Sequence, residues 1–209
     1  MNRMFLRLLL VGLFISLING CALNKIHFQK YYQAGNEAEE RHDYEMAKKH
    51  YYRAWDNARM GRLEPQLRAQ AAYSLGRMLG IFCDDKNAEL MLKEALNFDK
   101  ESYGPVYMSL FELAYLNYDQ GKYDEAVSYF QQAIPLIDNE KYIEFDPAGF
   151  VMHFSTYSRA LEKTGHSNEA KVFNDRANVL SKKYPAAQAK GTRTPYNRSC
   201  NKTNSLDNK

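Results

Sequence analysis

The chain has 209 residues, 28 Lys and Arg against 25 Asp and Glu, 45% hydrophobic residues and a formal net charge of +3. That length fits one domain able to bury a core of useful size, and six Pro with eleven Gly are too few for collagen-like or low-complexity material. The same numbers exclude a multispan membrane protein, and +3 supplies no broad basic field for bulk nucleic-acid binding.

The N-terminus reads as an export signal. Arg3 and Arg7 give residues 1–20 a charge of +2 with no acid, and Leu8 to Ile18 is an apolar run of 11 residues. Such a run matches a signal-peptide core and falls short of the roughly 20 residues that span a bilayer. Leu17-Ile18-Asn19-Gly20-Cys21 resembles a bacterial lipobox, with an aliphatic residue at −3 and a small one at −1. The resemblance implies a signal peptide over 1–20, acylation of Cys21 and a short linker over 21–26. Ala22, where inner-membrane retention uses Asp, implies by likeness to Gram-negative lipoproteins an outer-membrane anchor facing the periplasm. A plain signal peptide cleaved near Gly20 is the alternative.

From His27 to Tyr184 apolar residues recur at spacings of three and four, and no alternating run of strand type appears. The pattern predicts eight helices near 27–41, 44–60, 65–82, 87–100, 105–120, 123–138, 147–164 and 167–183. Pro65, Pro105 and Pro147 mark helix starts, and Asp84-Asp85 reads as a cap. Pro135 is expected to kink or end its helix nearby. Alanines recur in pairs seven apart: Ala47/Ala54, Ala88/Ala95, Ala126/Ala133 and Ala170/Ala177. Five residues before each pair stand His42, Cys83, Gly121 and Gly165, where the chain is expected to turn between two helices. Twelve residues before come Gly35, Gly76, Ala114 and Ser158, all small; four after come Tyr51, Leu92, Phe130 and Asn174.

This layout resembles the tetratricopeptide repeat (TPR). Gly121-Lys122-Tyr123-Asp124-Glu125-Ala126 through Phe130 and Ala133 is the closest copy, and His42 through Ala54 comes next. The second copy, around Gly76 and Ala88, leans toward the related Sel1-like repeat. The fourth departs from the pattern at Ser158, Ser167 and Asn174, and Asn117 replaces an apolar residue in the third. The implied fold is an all-α solenoid of about four helical hairpins over 27–184. Stacking is obligatory because one hairpin cannot bury its apolar face alone. The abundance of tyrosine (16, with 11 Phe and a single Trp) then fits edges that pack while the hydroxyl reaches water.

In TPR proteins the first helix of each pair lines the concave surface. Carrying that over gives a groove of Tyr32, Asn36, Glu39, Tyr73, Arg77, Phe111, Tyr115, Tyr118, Arg159 and Lys163. It implies aromatic anchors rimmed by cations and amides, suited to an extended peptide. Tyr115 and Tyr118 are the expected reading pair: their replacement by Ala should barely change stability while partner capture falls.

No HExxH, GxGxxG, Walker-type loop, GxSxG or CxxC is present, and His27, His42, His50, His153 and His166 show no metal-ligand spacing. The sequence therefore points to no enzyme, cofactor or metal. Residues 185–209 form a basic tail, disordered or loosely tethered. The stretch from Lys190 carries +4, which leaves 21–189 at −3. With Cys21 used by lipid, Cys83 and Cys200 remain, able to bridge and tie the tail down, or to stay apart. Three functions stay open: a lipid-anchored adaptor holding a segment of another envelope protein, a Sel1-like structural or regulatory protein acting through its convex face or tail, and a glycan- or peptidoglycan-binding module.

Overall fold

The computed structural model describes residues 3–185 and 193–197, with side chains from residue 22 onward. The described residues form an all-α solenoid. Its helices are α1 (Arg3–Glu40), α2 (Tyr44–Met60), α3 (Pro65–Ile81), α4 (Asp85–Glu101), α5 (Val106–Asp119), α6 (Tyr123–Ile137), α7 (Glu140–Phe145), α8 (Pro147–Lys163) and α9 (Ser167–Lys183). Antiparallel hairpins α1–α2, α3–α4, α5–α6 and α8–α9 stack in order. Contacts of α3 with α5, and of α5 with α8, place the first helices of successive hairpins together in one layer.

The alanine phrase has a direct structural meaning. All eight paired alanines are buried, none more than 3% exposed. Between the helices of a hairpin they let the backbones approach, and the small residues upstream complete the contact. A methyl added at Gly35 would lie 2.6 Å from the Tyr51 ring, and one at Gly76 would lie 2.9 Å from Leu92. Tyr51, Leu92 and Phe130 fill the wedge beside each alanine pair. In the fourth hairpin Asn174 is exposed, and the neighbouring Phe173 takes over, packed 4.6 Å from Tyr157 and 5.5 Å from Phe154 between centroids. Asn117 is buried because its Nδ2 donates to the Leu113 carbonyl at 2.8 Å.

The four turn positions share one backbone state. His42, Cys83, Gly121 and Gly165 all have left-handed φ, between 58° and 82°. Each N–H reaches the carbonyl three residues back, and the following N–H reaches the carbonyl five back, as in His42 to Glu39 and Asp43 to Ala38, both at 2.9 Å. This Schellman closure satisfies carbonyls that the helix end leaves open. Glycine adopts that φ without cost. His42 and Cys83 give up about 1–2 kcal/mol for it.

Helix boundaries match expectation within two residues, with two exceptions. Helix α1 runs on from Arg3, so the expected signal and the first repeat helix share one helical backbone. A ninth helix, α7, sits in the longest inter-repeat insert, where Asn139 caps it by accepting from Tyr142 N–H at 3.2 Å. Helix α6 ends at Ile137, two residues beyond Pro135. No helix among the described residues is long and apolar enough to cross a membrane.

Candidate functional site: a charged seat on the inner helices

The hairpin turns gather the C-terminal ends of α1, α3 and α5 at one end of the inner layer. Three carboxylates converge there. Arg77 of α3 pairs with Glu39 of α1 at 2.7 Å and with Glu112 of α5 at 3.4 Å. Tyr73, one turn before Arg77, donates its hydroxyl to Glu112 Oε1 at 3.1 Å. Burial opposes the Arg77 charge, but Glu112, Tyr73 and Glu39 outweigh it and raise the guanidinium further. Burial, followed by the charge of Glu112, lifts the Tyr73 and Tyr115 phenols well above their ordinary range, so both stay protonated.

The seat is filled by the chain's own tail. Arg193–Asn197 crosses these helix ends, held at Asp119 and at the Gly80 carbonyl. Arg193 Nη2 donates to Asp119 Oδ1 at 2.7 Å, and its guanidinium lies 4.4 Å from the Tyr115 ring centroid. Tyr196 N–H donates to Asp119 Oδ2 at 2.8 Å, and the Tyr196 hydroxyl donates to Glu112 Oε2. Asn197 N–H reaches the Gly80 carbonyl at 3.0 Å, and its side chain bonds Asp85. Thr194 Oγ1 lies 2.8 Å from Tyr44 Oη at the start of α2. Tyr196 is 5% exposed, its ring resting where a Gly80 side chain would project. Chemically, the seat offers carboxylates to a cation and a phenol, and the Gly80 carbonyl near the end of α3 to a backbone N–H.

The residues expected to line the groove fall into three groups. Glu39, Tyr73 and Arg77 are brought together in the seat, and the Tyr115 ring forms its floor under Arg193. Tyr32 and Asn36 serve the first hairpin: Tyr32 accepts from Ser74 at 3.4 Å, and Asn36 Oδ1 lies 2.8 Å from the Tyr51 hydroxyl. Phe111, Tyr118, Arg159 and Lys163 lie outside the seat. Phe111 is buried and stacks on His153 at 3.6 Å, and Tyr118 packs edge-on to Tyr123. Arg159 and Lys163 are exposed on α8.

Tyr115 requires a correction. It is 2% exposed, packed edge-on against Phe130 at 5.5 Å, with its hydroxyl 2.5 Å from His153 Nδ1. A side chain so enclosed carries stability, contrary to the expectation that its loss would be silent. Burial pushes the His153 imidazole down to about 3, leaving it neutral and able to accept from Tyr115.

Sequence reasoning missed Glu112, Asp119, Arg193 and Tyr196. Glu112, Tyr115 and Asp119 do stand at i, i+3 and i+7, one face of α5, and that spacing was the available signal. Cys83 is disulfide-bonded, whereas Cys200 lies outside the described residues. The side chain of Cys21 is likewise outside them. No His, Cys, Asp and Glu cluster able to hold a metal occurs among the described residues.

The arrangement of hairpins decides the fold comparison. BtubC (BKLC) from P. vanneervenii superimposes with a TM-score of 0.67 at 19% identity, over 79% of this chain and 65% of that one. MamA superimposes with a TM-score of 0.55 at 18% identity, over 76% of this chain and 81% of that one. Both are TPR-like helical proteins. The fold is a TPR-like solenoid. This chain spans just under two thirds of BtubC. No family model and no curated protein matches the sequence.

Proposed function

We propose that this TPR-like protein is a non-enzymatic adaptor that holds an extended segment of another protein on its inner helices. The observation that carries the reading is the seat itself: it already holds a five-residue stretch of chain, which turns at Tyr196–Asn197, through side-chain and backbone hydrogen bonds. The lipobox-like Cys21 supports an outer-membrane anchor facing the periplasm, which makes envelope proteins the partners and envelope assembly the setting. Several acyl chains at about 0.8 kcal/mol per buried CH₂ would hold it there durably.

Photocrosslinking groups placed at the exposed Asn36 and Lys163 should capture a discrete envelope protein, with the crosslink mapping to an extended segment. A group at Tyr103, 98% exposed in the α4–α5 turn at the other end of the helices, should capture nothing comparable. Capture from Tyr103 alone, or pull-down of glycan instead of protein, would sink the adaptor reading.

We infer that Cys200 is the partner in the Cys83 disulfide. Asn197 is held at Gly80, three residues before Cys83, and the three residues from Asn197 to Cys200 reach at most about 10 Å. Mass spectrometry of the unreduced mature protein should show a Cys83–Cys200 linked peptide and an acylated Cys21 at the N-terminus. A free Cys200 thiol or an unmodified N-terminus would reject the corresponding assignment.

A further inference from the structure

We propose that the Glu112–Asp119 seat recognises a partner segment carrying arginine and proline-tyrosine, spaced as in Arg193-Thr194-Pro195-Tyr196, and that this chain's tail is a built-in competitor for it. The inference rests on the adaptor reading and adds both the chemistry of the partner segment and the control of access to it.

Charge bookkeeping within the seat points to a cationic occupant. Glu39, Glu112 and Asp119 face one internal cation, Arg77, so the solenoid presents more acid than it neutralises. Asp119 is the sharpest case. Its side chain is 13% exposed, and its two oxygens accept from Arg193 and from Tyr196 N–H, both in the tail. Glu112 divides its oxygens in the same way: Oε1 serves Tyr73 and Arg77 within the solenoid, and Oε2 receives the tail phenol. A carboxylate that far from water needs a donor from the occupant whenever the seat is used.

Shape selects the ring. Gly80 leaves room where any side chain would meet Tyr196, and the flanking Tyr73, Arg77 and Glu112 close the slot around the phenol. Proline immediately before the tyrosine has its own φ fixed already, which lowers the entropic cost of ordering that stretch. The tail reaches the seat from Pro185 across seven intervening residues, so even without the disulfide tie its effective concentration is on the order of millimolar. Against a free segment binding with a Kd of about 10 µM, such a tether weakens apparent affinity roughly 100-fold.

The test uses the full-length protein and a fluorescein-labelled synthetic peptide spanning residues 193–197, read by fluorescence anisotropy. In the variant Arg193→Ala/Tyr196→Ala/Cys200→Ser, the tail loses its anchors and its candidate covalent tie. This variant should bind the peptide at least tenfold more tightly than the native chain does. Adding Asp119→Asn should weaken capture tenfold or more, and adding Gly80→Ala should abolish it while helix content and Tm are retained. A peptide with Phe in place of Tyr should bind more weakly than the parent. Failure of the folded open variant to bind the peptide would overturn the proposal and make the tail a fixed strap. Equal binding by native and open chains would overturn the competition. A native dimer lost in the open variant would reassign the occupant to a second copy and overturn the intramolecular seat. These outcomes are read on purified protein, so they stand apart from the crosslinking result, which alone decides whether the adaptor reading holds.

Discussion

Replacement of Tyr115 by Ala is expected to cost about 3–5 kcal/mol of folding stability, the range for emptying a buried aromatic site. In a chain of this length the melting temperature should fall by roughly 10 °C. The cause is local and identifiable. Phe111, Phe130 and His153 surround the ring, and all would face the void. Tyr115→Phe should separate the hydroxyl from the ring, costing about 1–3 kcal/mol because His153 Nδ1 loses its donor. Tyr118→Ala, which removes a half-buried ring beside Tyr123, should cost clearly less. Urea unfolding of the three variants provides the comparison. Equal losses for Tyr115→Ala and Tyr118→Ala would show that Tyr115 is not part of the core.

Acidification should weaken the same region. The His153 imidazole is held near 3 in the folded protein against 6.5 in an unfolded chain, because burial penalises its charged form. The unfolded chain therefore takes up the proton first. This contribution is fully present above pH 6.5 and drains away as pH falls toward 3. Between pH 7 and pH 5 the loss is about 2 kcal/mol. Other groups titrate too: burial raises the Asp85 and Asp99 carboxyls, and protonating them in acid works in the opposite direction. His153→Gln cancels those contributions in a difference measurement. The native protein should lose about 2 kcal/mol more than the variant between pH 7 and pH 5, measured by urea unfolding. An identical loss in both would remove His153 as the cause.

The solenoid was legible because its rules are local and repeated. An alanine that must sit between two helices leaves the same trace each time, and so does a turn residue that must adopt left-handed φ; four copies made the phrase readable. Where a single copy drifted, the sequence marked the departure at Asn174 but not that the neighbouring Phe173 takes over as the wedge aromatic. Helix α7 escaped because six residues are too few to establish a period. The seat was only half visible. Tyr73 and Arg77 lie on the inner helices as expected, but Glu112 and Asp119 acquire meaning only when Arg193 and Tyr196 arrive from 74 to 84 residues away. Nothing in the intervening sequence specifies that meeting, which depends on three helix ends being brought level by stacking. Tyr115 was misplaced for a related reason. Its face of α5 is solvent-facing in an isolated hairpin and becomes interior once α8 brings His153 against it.

In a solenoid each unit ordinarily touches only its neighbours, so ends can fray and stability behaves as a sum along the stack. The tail segment breaks that one-dimensional order. Within five residues it engages Tyr44 in the first hairpin, Gly80 and Asp85 in the second, and Glu112 and Asp119 in the third. Its contacts reach as far as 150 residues in sequence, and raise contact order in a topology that is otherwise local among the described residues. Three hairpins that could open separately are thereby linked into one cooperative unit for as long as the tail is docked. A partner segment seated through the same groups would preserve that link, whereas an empty seat leaves the first three hairpins joined by stacking alone, as the fourth is joined to α5 and α6 through α8.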